Sequence, residues 1–221
     1  MARTAVNVQA TRFEVIEGGA RQPAGVPGFG DGSPPRALPP VSNAQLGLVV
    51  FIAFETMIFV ALVTAYLVLR GKTFVWPPPD LPRLPMAVTW VNTGMLLFSA
   101  VTMWRASAAV RGGRPDGARG ALVATAVLGT GFLAVQGSEW MRLVRHGLTM
   151  SSGSYGSTFY TLIGLHAVHV VGAVIWLLAV LFIAERKGYG VKRLPVLTLC
   201  AMYWYFVTGL WAVLFGLVYL Y

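Results

Sequence analysis

The chain has 221 residues, of which 56% are apolar and 11% charged, with a mean hydropathy of +0.67. A soluble domain carries about 25% charged residues, so this chain lacks the polar surface of one; its long apolar blocks mark an integral membrane protein instead. The net charge of +9 lies mostly in connectors beside those blocks, where it sets membrane orientation rather than meeting nucleic acid, and a single cysteine, Cys200, excludes an intrachain disulfide and a multi-thiolate metal site.

Residues 1–44 are rich in Pro and Gly and hold no apolar run, so they read as a disordered or loosely docked cytoplasmic tail rather than a secretory signal. The first apolar block, about 46–69, must then act as the insertion signal. At about 1.5 Å per residue it crosses a hydrocarbon core of about 30 Å. Arg70 and Lys72 end it, and the prolines of the connector from Trp76 to Pro85 forbid a helix there. Further blocks follow at about 86–110, 120–144, 157–184 and 195–220, separated by a turn at 111–115, a Gly/Ser connector at 145–156 and the charged stop at 185–188. The expectation is an all-α fold, a polytopic five-transmembrane-helix bundle over 45–221.

Twelve of the seventeen Lys and Arg fall in the tail or in and beside the second and fourth connectors, with Arg105 counted beside the second. The positive-inside rule therefore places the N-terminus in the cytoplasm and the C-terminus outside. Trp76, Trp104, Trp140 and Tyr219 lie near block ends, as an interfacial aromatic belt requires.

Ionisable groups deep in a bilayer are expensive and are functional candidates by default. Glu55 lies about 13 Å into the first block, and His166 and His169 about 13–18 Å into the antiparallel fourth, so all three share a depth near the midplane. Glu55 reads either as a neutral carboxyl bonded to a neighbouring helix or as a functional group. His166 and His169 share a helical face, a spacing that can serve a metal. No Cys, Asp or Glu stands at ligand spacing beside them, and packing with inter-helix hydrogen bonding is the reading adopted. Glu139 is a second intramembrane carboxylate, toward the outer end of the third block. Asn92, Gln136 and Thr208 are expected to bond across helices, and Gly94, Ser99, Gly129, Gly131, Gly164, Gly172 and Gly209 to allow close helix approach. No phosphate loop, nucleophile elbow or metalloprotease motif occurs.

Several stretches carry a resemblance. These are Trp76-Pro77-Pro78; Val91-Asn92-Thr93 with Leu96, Leu97 and Ser99; Gln136-Gly137-Ser138-Glu139-Trp140; Ser154 to Tyr160 followed by Gly164, His166, His169, Val170 and Gly172; and Tyr203-Trp204 with Phe206, Val207 and Trp211. In this order, over about 45–221, they resemble the haem–copper oxidase subunit III family in its short five-helix bacterial form. Glu55 falls where that family carries a carbodiimide-reactive intramembrane glutamate. The final family motif usually reads Tyr-Trp-His-Phe-Val-Asp, whereas here Tyr205 and Thr208 occupy the His and Asp positions. Longer members have two further N-terminal helices that complete a lipid-holding cleft.

The resemblance implies a non-catalytic subunit of a cytochrome c or quinol oxidase, without catalytic residues or a metal site. It implies haem and copper in partner subunits I and II, and contact with membrane lipid, with a bound phospholipid in the longer forms. Glu55 and Glu139 would be its intramembrane carboxylates; His166, His169, Asn92, Gln136, Tyr205 and Thr208 would contact lipid or neighbouring helices. The three histidines and one cysteine are too few for either redox subunit. A subunit-III-like accessory protein of nitric oxide reductase and a small independent transporter are the competing readings.

Overall fold

The structure is a computed structural model that describes residues 42–72, 86–189 and 194–220. The expected tail, the proline connector with Trp76, and the charges of Lys192 and Arg193 lie outside the described residues. Among those residues there are five helices and no strand: α1 (Asn43–Gly71), α2 (Met86–Arg111), α3 (Pro115–Arg145), α4 (Gly153–Lys187) and α5 (Leu194–Phe215), the last running into a π turn, Gly216–Leu220. All five are long and apolar enough to cross a membrane, which makes this a multi-pass all-α membrane protein.

Three helices begin three or more residues before the apolar blocks do. At α1, Ser42 and Gln45 form a reciprocal capping box, which satisfies donors that have no partner within the helix. Pro115 opens α3 with its φ already set for a helix, and Asp116 complements the helix dipole in the first turn. The polar opening of α4, Gly153 to Ser157, continues the helix because Ser154 accepts hydrogen bonds from Ser157 and Thr158. Polar residues at helix ends do not register in a hydropathy reading, so it cuts each helix short.

α2 and α3 pair most extensively, α5 packs against α2 and α4, and α1 touches mainly α4 and α5. The turn between α2 and α3 is tight: Gly113 takes φ +64°, and the amides of Gly112 and Arg114 donate to the last carbonyls of α2. On the other side of that turn, Arg119 binds Glu185 at 2.7 Å, and the Tyr189 hydroxyl donates to the same carboxylate. Partial burial, reinforced by that hydrogen bond, pushes the Tyr189 phenol up to about 12.

The core is aromatic. Trp204 and Trp211 of α5 are almost wholly enclosed, with Phe132 of α3 edge-on to Trp211 at 5.0 Å. The π turn keeps Tyr219 beside Trp211 and Phe215, at 6.1 and 5.5 Å, so Tyr219 points into the bundle rather than joining an interfacial belt. Trp104 does project outward, 59% exposed.

Only part of the small-residue expectation holds. A Cβ at Gly129 would lie 2.4 Å from Cη2 of Trp204, and one at Gly131 would lie 2.9 Å from the flexible end of Met95. Gly94, Gly172 and Gly209 would meet nothing within 4 Å, and Gly164 only the edge of Trp140 at 4.0 Å. Among the described residues no helix approaches those four closely, so they do not set the packing there.

Trp204 is rigid and enclosed, so Gly129→Ala should destabilise the chain by about 1–3 kcal/mol through overpacking, whereas Gly94→Ala should leave the melting temperature of the detergent-solubilised protein unchanged or slightly raised. Equal melting temperatures for the two variants would show that Trp204 can move aside.

Candidate functional site

Glu55 on α1 and His169 on α4 form a hydrogen bond between Oε2 and Nε2. Both side chains are largely enclosed, 15% and 11% exposed, and the Phe59 ring meets the imidazole edge-on at 5.3 Å. The other ring nitrogen, Nδ1, is 2.7 Å from the carbonyl of Leu165. A carbonyl can only accept, so Nδ1 carries a proton. In a neutral ring Nε2 is then an acceptor. One proton therefore lies between Nε2 and Glu55, either as a carboxyl donating to imidazole or as an imidazolium donating to carboxylate. The two forms differ only by a proton shift along one hydrogen bond, and both leave the pair with no net charge, which is how a carboxyl is tolerated at this depth.

The depth reasoning that brought Glu55 level with both histidines is resolved in favour of His169. His166 turns the other way. It is 1% exposed, lies flat on Trp211 at 5.2 Å, and neither of its nitrogens has a hydrogen-bond partner among the described residues. Spacing of three put the histidines on one broad face, but their side chains diverge, one toward α1 and one toward α5. Among the described residues no group of three His, Cys, Asp or Glu converges in a way that could hold a metal ion.

A second polar seam joins α2, α3 and α5. Asn92 donates to the Gln136 side chain and to the carbonyl of Phe132, each at 3.2 Å, and Gln136 donates to the Tyr219 hydroxyl at 3.3 Å. The indole nitrogens of Trp204 and Trp211 donate to Ser99 and Thr93, both at 3.0 Å, and the hydroxyls of Thr102 and Thr125 pair at 2.7 Å. Asn92 and Gln136 thus bond across helices as expected. Thr208 does not: it is buried, yet its hydroxyl has no hydrogen-bond partner among the described residues. The indoles of the same helix reach farther from the axis than a threonine hydroxyl, and those of Trp204 and Trp211 meet Ser99 and Thr93. Trp204 and Trp211 were not anticipated in this role, although a buried indole N–H needs an acceptor and so signals one.

Glu139 accepts from Arg142 at 2.9 Å. Its side chain is 10% exposed and that of Arg142 63%, the arrangement of a guanidinium reaching toward the interface over an enclosed carboxylate. Tyr205 stands on the outside of α5, 38% exposed.

Apolar helices long enough to cross a membrane, joined by side-chain hydrogen bonds and with one enclosed carboxyl–imidazole pair, define a polytopic helical membrane protein. Residues 39–221 match the model of the family described as cytochrome c oxidase subunit III, and the chain belongs to that family. Similar proteins include a cytochrome c oxidase subunit 3 of Synechocystis sp., 35% identical over 80% of this chain and 75% of the relative. The one from Bacillus sp. strain PS3 is 29% identical over 80% and 86%, and the quinol oxidase subunit 3 of Bacillus subtilis is 27% identical over 79% and 85%.

Removing the carboxyl by Glu55→Ala should leave the enclosed Nε2 of His169 unpaired and cost about 1–3 kcal/mol of stability. Glu55→Gln keeps a donor at the same place and should cost less, so thermal melts of the two purified variants should separate clearly. Coincident melts would mean that the hydrogen bond does not hold α1 to α4.

Proposed function

We propose that this chain is a non-catalytic subunit III of a proton-pumping haem–copper terminal oxidase of the cytochrome c oxidase type, placed against catalytic subunit I and assembled with subunit II. In this reading it sits in a bacterial cytoplasmic membrane with its N-terminus inside. It carries no haem or copper of its own, and it supports the stability of subunit I and proton uptake into it.

The observation that carries the reading is the Glu55–His169 pair and the helix that bears Glu55. Among the described residues α1 buries only Phe59 and Tyr66 and turns Val49, Val50, Phe54, Met57 and Ile58 outward. A group able to pass a proton along one hydrogen bond is therefore backed by an apolar surface suited to a neighbouring membrane subunit. The histidines do not suit a haem or copper site: His146 contacts the carbonyl of Arg142, His166 is stacked on Trp211, and His169 is held by Glu55. The relatives named as oxidase subunits, for cytochrome c and for quinol, support an oxidase assembly without distinguishing the donor.

Gentle extraction of the tagged chain from native membranes should bring with it a haem spectrum and oxygen consumption. In that complex Glu55→Gln should slow proton uptake and turnover while leaving the haem spectrum intact; unchanged turnover would remove Glu55 from the proton path. A complex that reduces nitric oxide but consumes no oxygen would assign the chain to a nitric oxide reductase, and a colourless lone protein would overturn both assignments.

A further inference from the structure

At the α2–α3 turn lies a groove of about 620 Å³, lined by Trp104, Arg105, Gly113, Arg114 and Asp116 among others. This size falls within the roughly 300–1,000 Å³ of cavities that hold ligands. Arg105 and Arg114 have no carboxylate within ion-pair distance among the described residues, in contrast to Arg119 and Arg142. Asp116 is the one acidic residue in the lining, so the groove keeps a net positive charge. The turn directs the second arginine: the Gly113 conformation folds the chain back, and Nε of Arg114 comes within 3.5 Å of where a side chain at Gly112 would begin.

Depth separates this groove from an ordinary basic loop. Arg105 is six residues before the end of α2, about 9 Å along the axis. A guanidinium at that level needs water or an anion to reach. Exposed Trp104 stands beside it, and indoles favour the headgroup level. Farther into the membrane, Val101, Phe98 and Leu97 continue the same side of the helix and are all exposed, at 48%, 57% and 44%. A cationic groove thus opens onto an apolar track.

We propose that this groove is a binding site for an anionic phospholipid, its phosphate held between Arg105 and Arg114, its glycerol region against Trp104 and one acyl chain along Val101 and Phe98. An acidic protein segment would match the arginines but not the track, and a free phosphate would need neither Trp104 nor the track. The Asp116 carboxylate disfavours headgroups of high charge and leaves a single phosphodiester as the better fit. The assignment requires only that the chain sit in a membrane, not that it belong to an oxidase.

The test is native mass spectrometry of the full chain, with whatever subunits accompany it, in mild detergent supplemented with equal phosphatidylglycerol and phosphatidylcholine. The wild type should retain phosphatidylglycerol preferentially. Arg105→Gln/Arg114→Gln should weaken that retention about thirtyfold, at roughly a factor of five per arginine near a membrane surface. Arg105→Lys/Arg114→Lys, which keeps the charge, should retain most of it, and Arg145→Gln in the α3–α4 connector should change nothing. The lysine variant and a circular-dichroism melt separate loss of the site from loss of the fold. The proposal is overturned if the glutamine variant binds phosphatidylglycerol as the wild type does, if the wild type shows no preference over phosphatidylcholine, or if inorganic phosphate at the lipid's concentration displaces it.

Discussion

Trp204 occupies the space that a side chain at residue 129 would fill, and from there its indole nitrogen reaches Ser99 on α2. One residue of α5 therefore fixes its distance from α3 by contact and from α2 by a hydrogen bond. In a bilayer, helices gain no hydrophobic drive from touching one another, because lipid tails are as apolar as leucine. What remains is close packing and directed polar contact, and Trp204 supplies both at one point. Trp211, about two turns on, repeats the arrangement with Thr93 and Phe132, and the π turn carries it on to Tyr219 and Gln136. The remaining polar pairs of these three helices extend that line of attachment.

The attachment of α1 is of another kind. Among the described residues this helix buries only Phe59 and Tyr66, and its links to the other helices include the Glu55–His169 hydrogen bond, the Phe59–His169 contact and the packing of Phe51 on Tyr203 at 6.2 Å. The group with the most chemical interest is thus also a main fastening of its helix. Membership of the subunit III family gives this a context: a helix that presents most of its surface outward is suited to a role completed by another subunit.

The helices were legible in the sequence because hydropathy over about 20 residues is the strongest signal a membrane chain offers. Their starts were less so, since Asn43, Pro115 and Gly153 open helices through capping and turn chemistry that an apolar count passes over. Depth arithmetic was enough to bring Glu55 level with the histidines. It could not choose between His166 and His169, because that choice depends on side-chain direction and on the neighbours α1 and α5 present. Asn92 and Gln136 were readable as inter-helix partners from their polarity alone. Thr208 has the same credentials and has no partner among the described residues. Of the glycines among the described residues, Gly129 alone meets a rigid side chain across a helix interface, and nothing in the one-dimensional pattern distinguishes it from Gly94 or Gly209.

The sparse fastening of α1 also sets an order of disassembly. Local opening requires the least free energy where few buried contacts must part, and among the described residues α1 buries only Phe59 and Tyr66 beside its polar clasp, whereas α2, α3 and α5 are interlocked at several levels. The bundle is mechanically unequal: a stiff block, and a compliant strut leaning on it. Any strain that reaches this chain through its outward apolar surface is taken up first in the strut, and because the clasp is a shared proton, a displacement of α1 is at the same time a change in where that proton can reside.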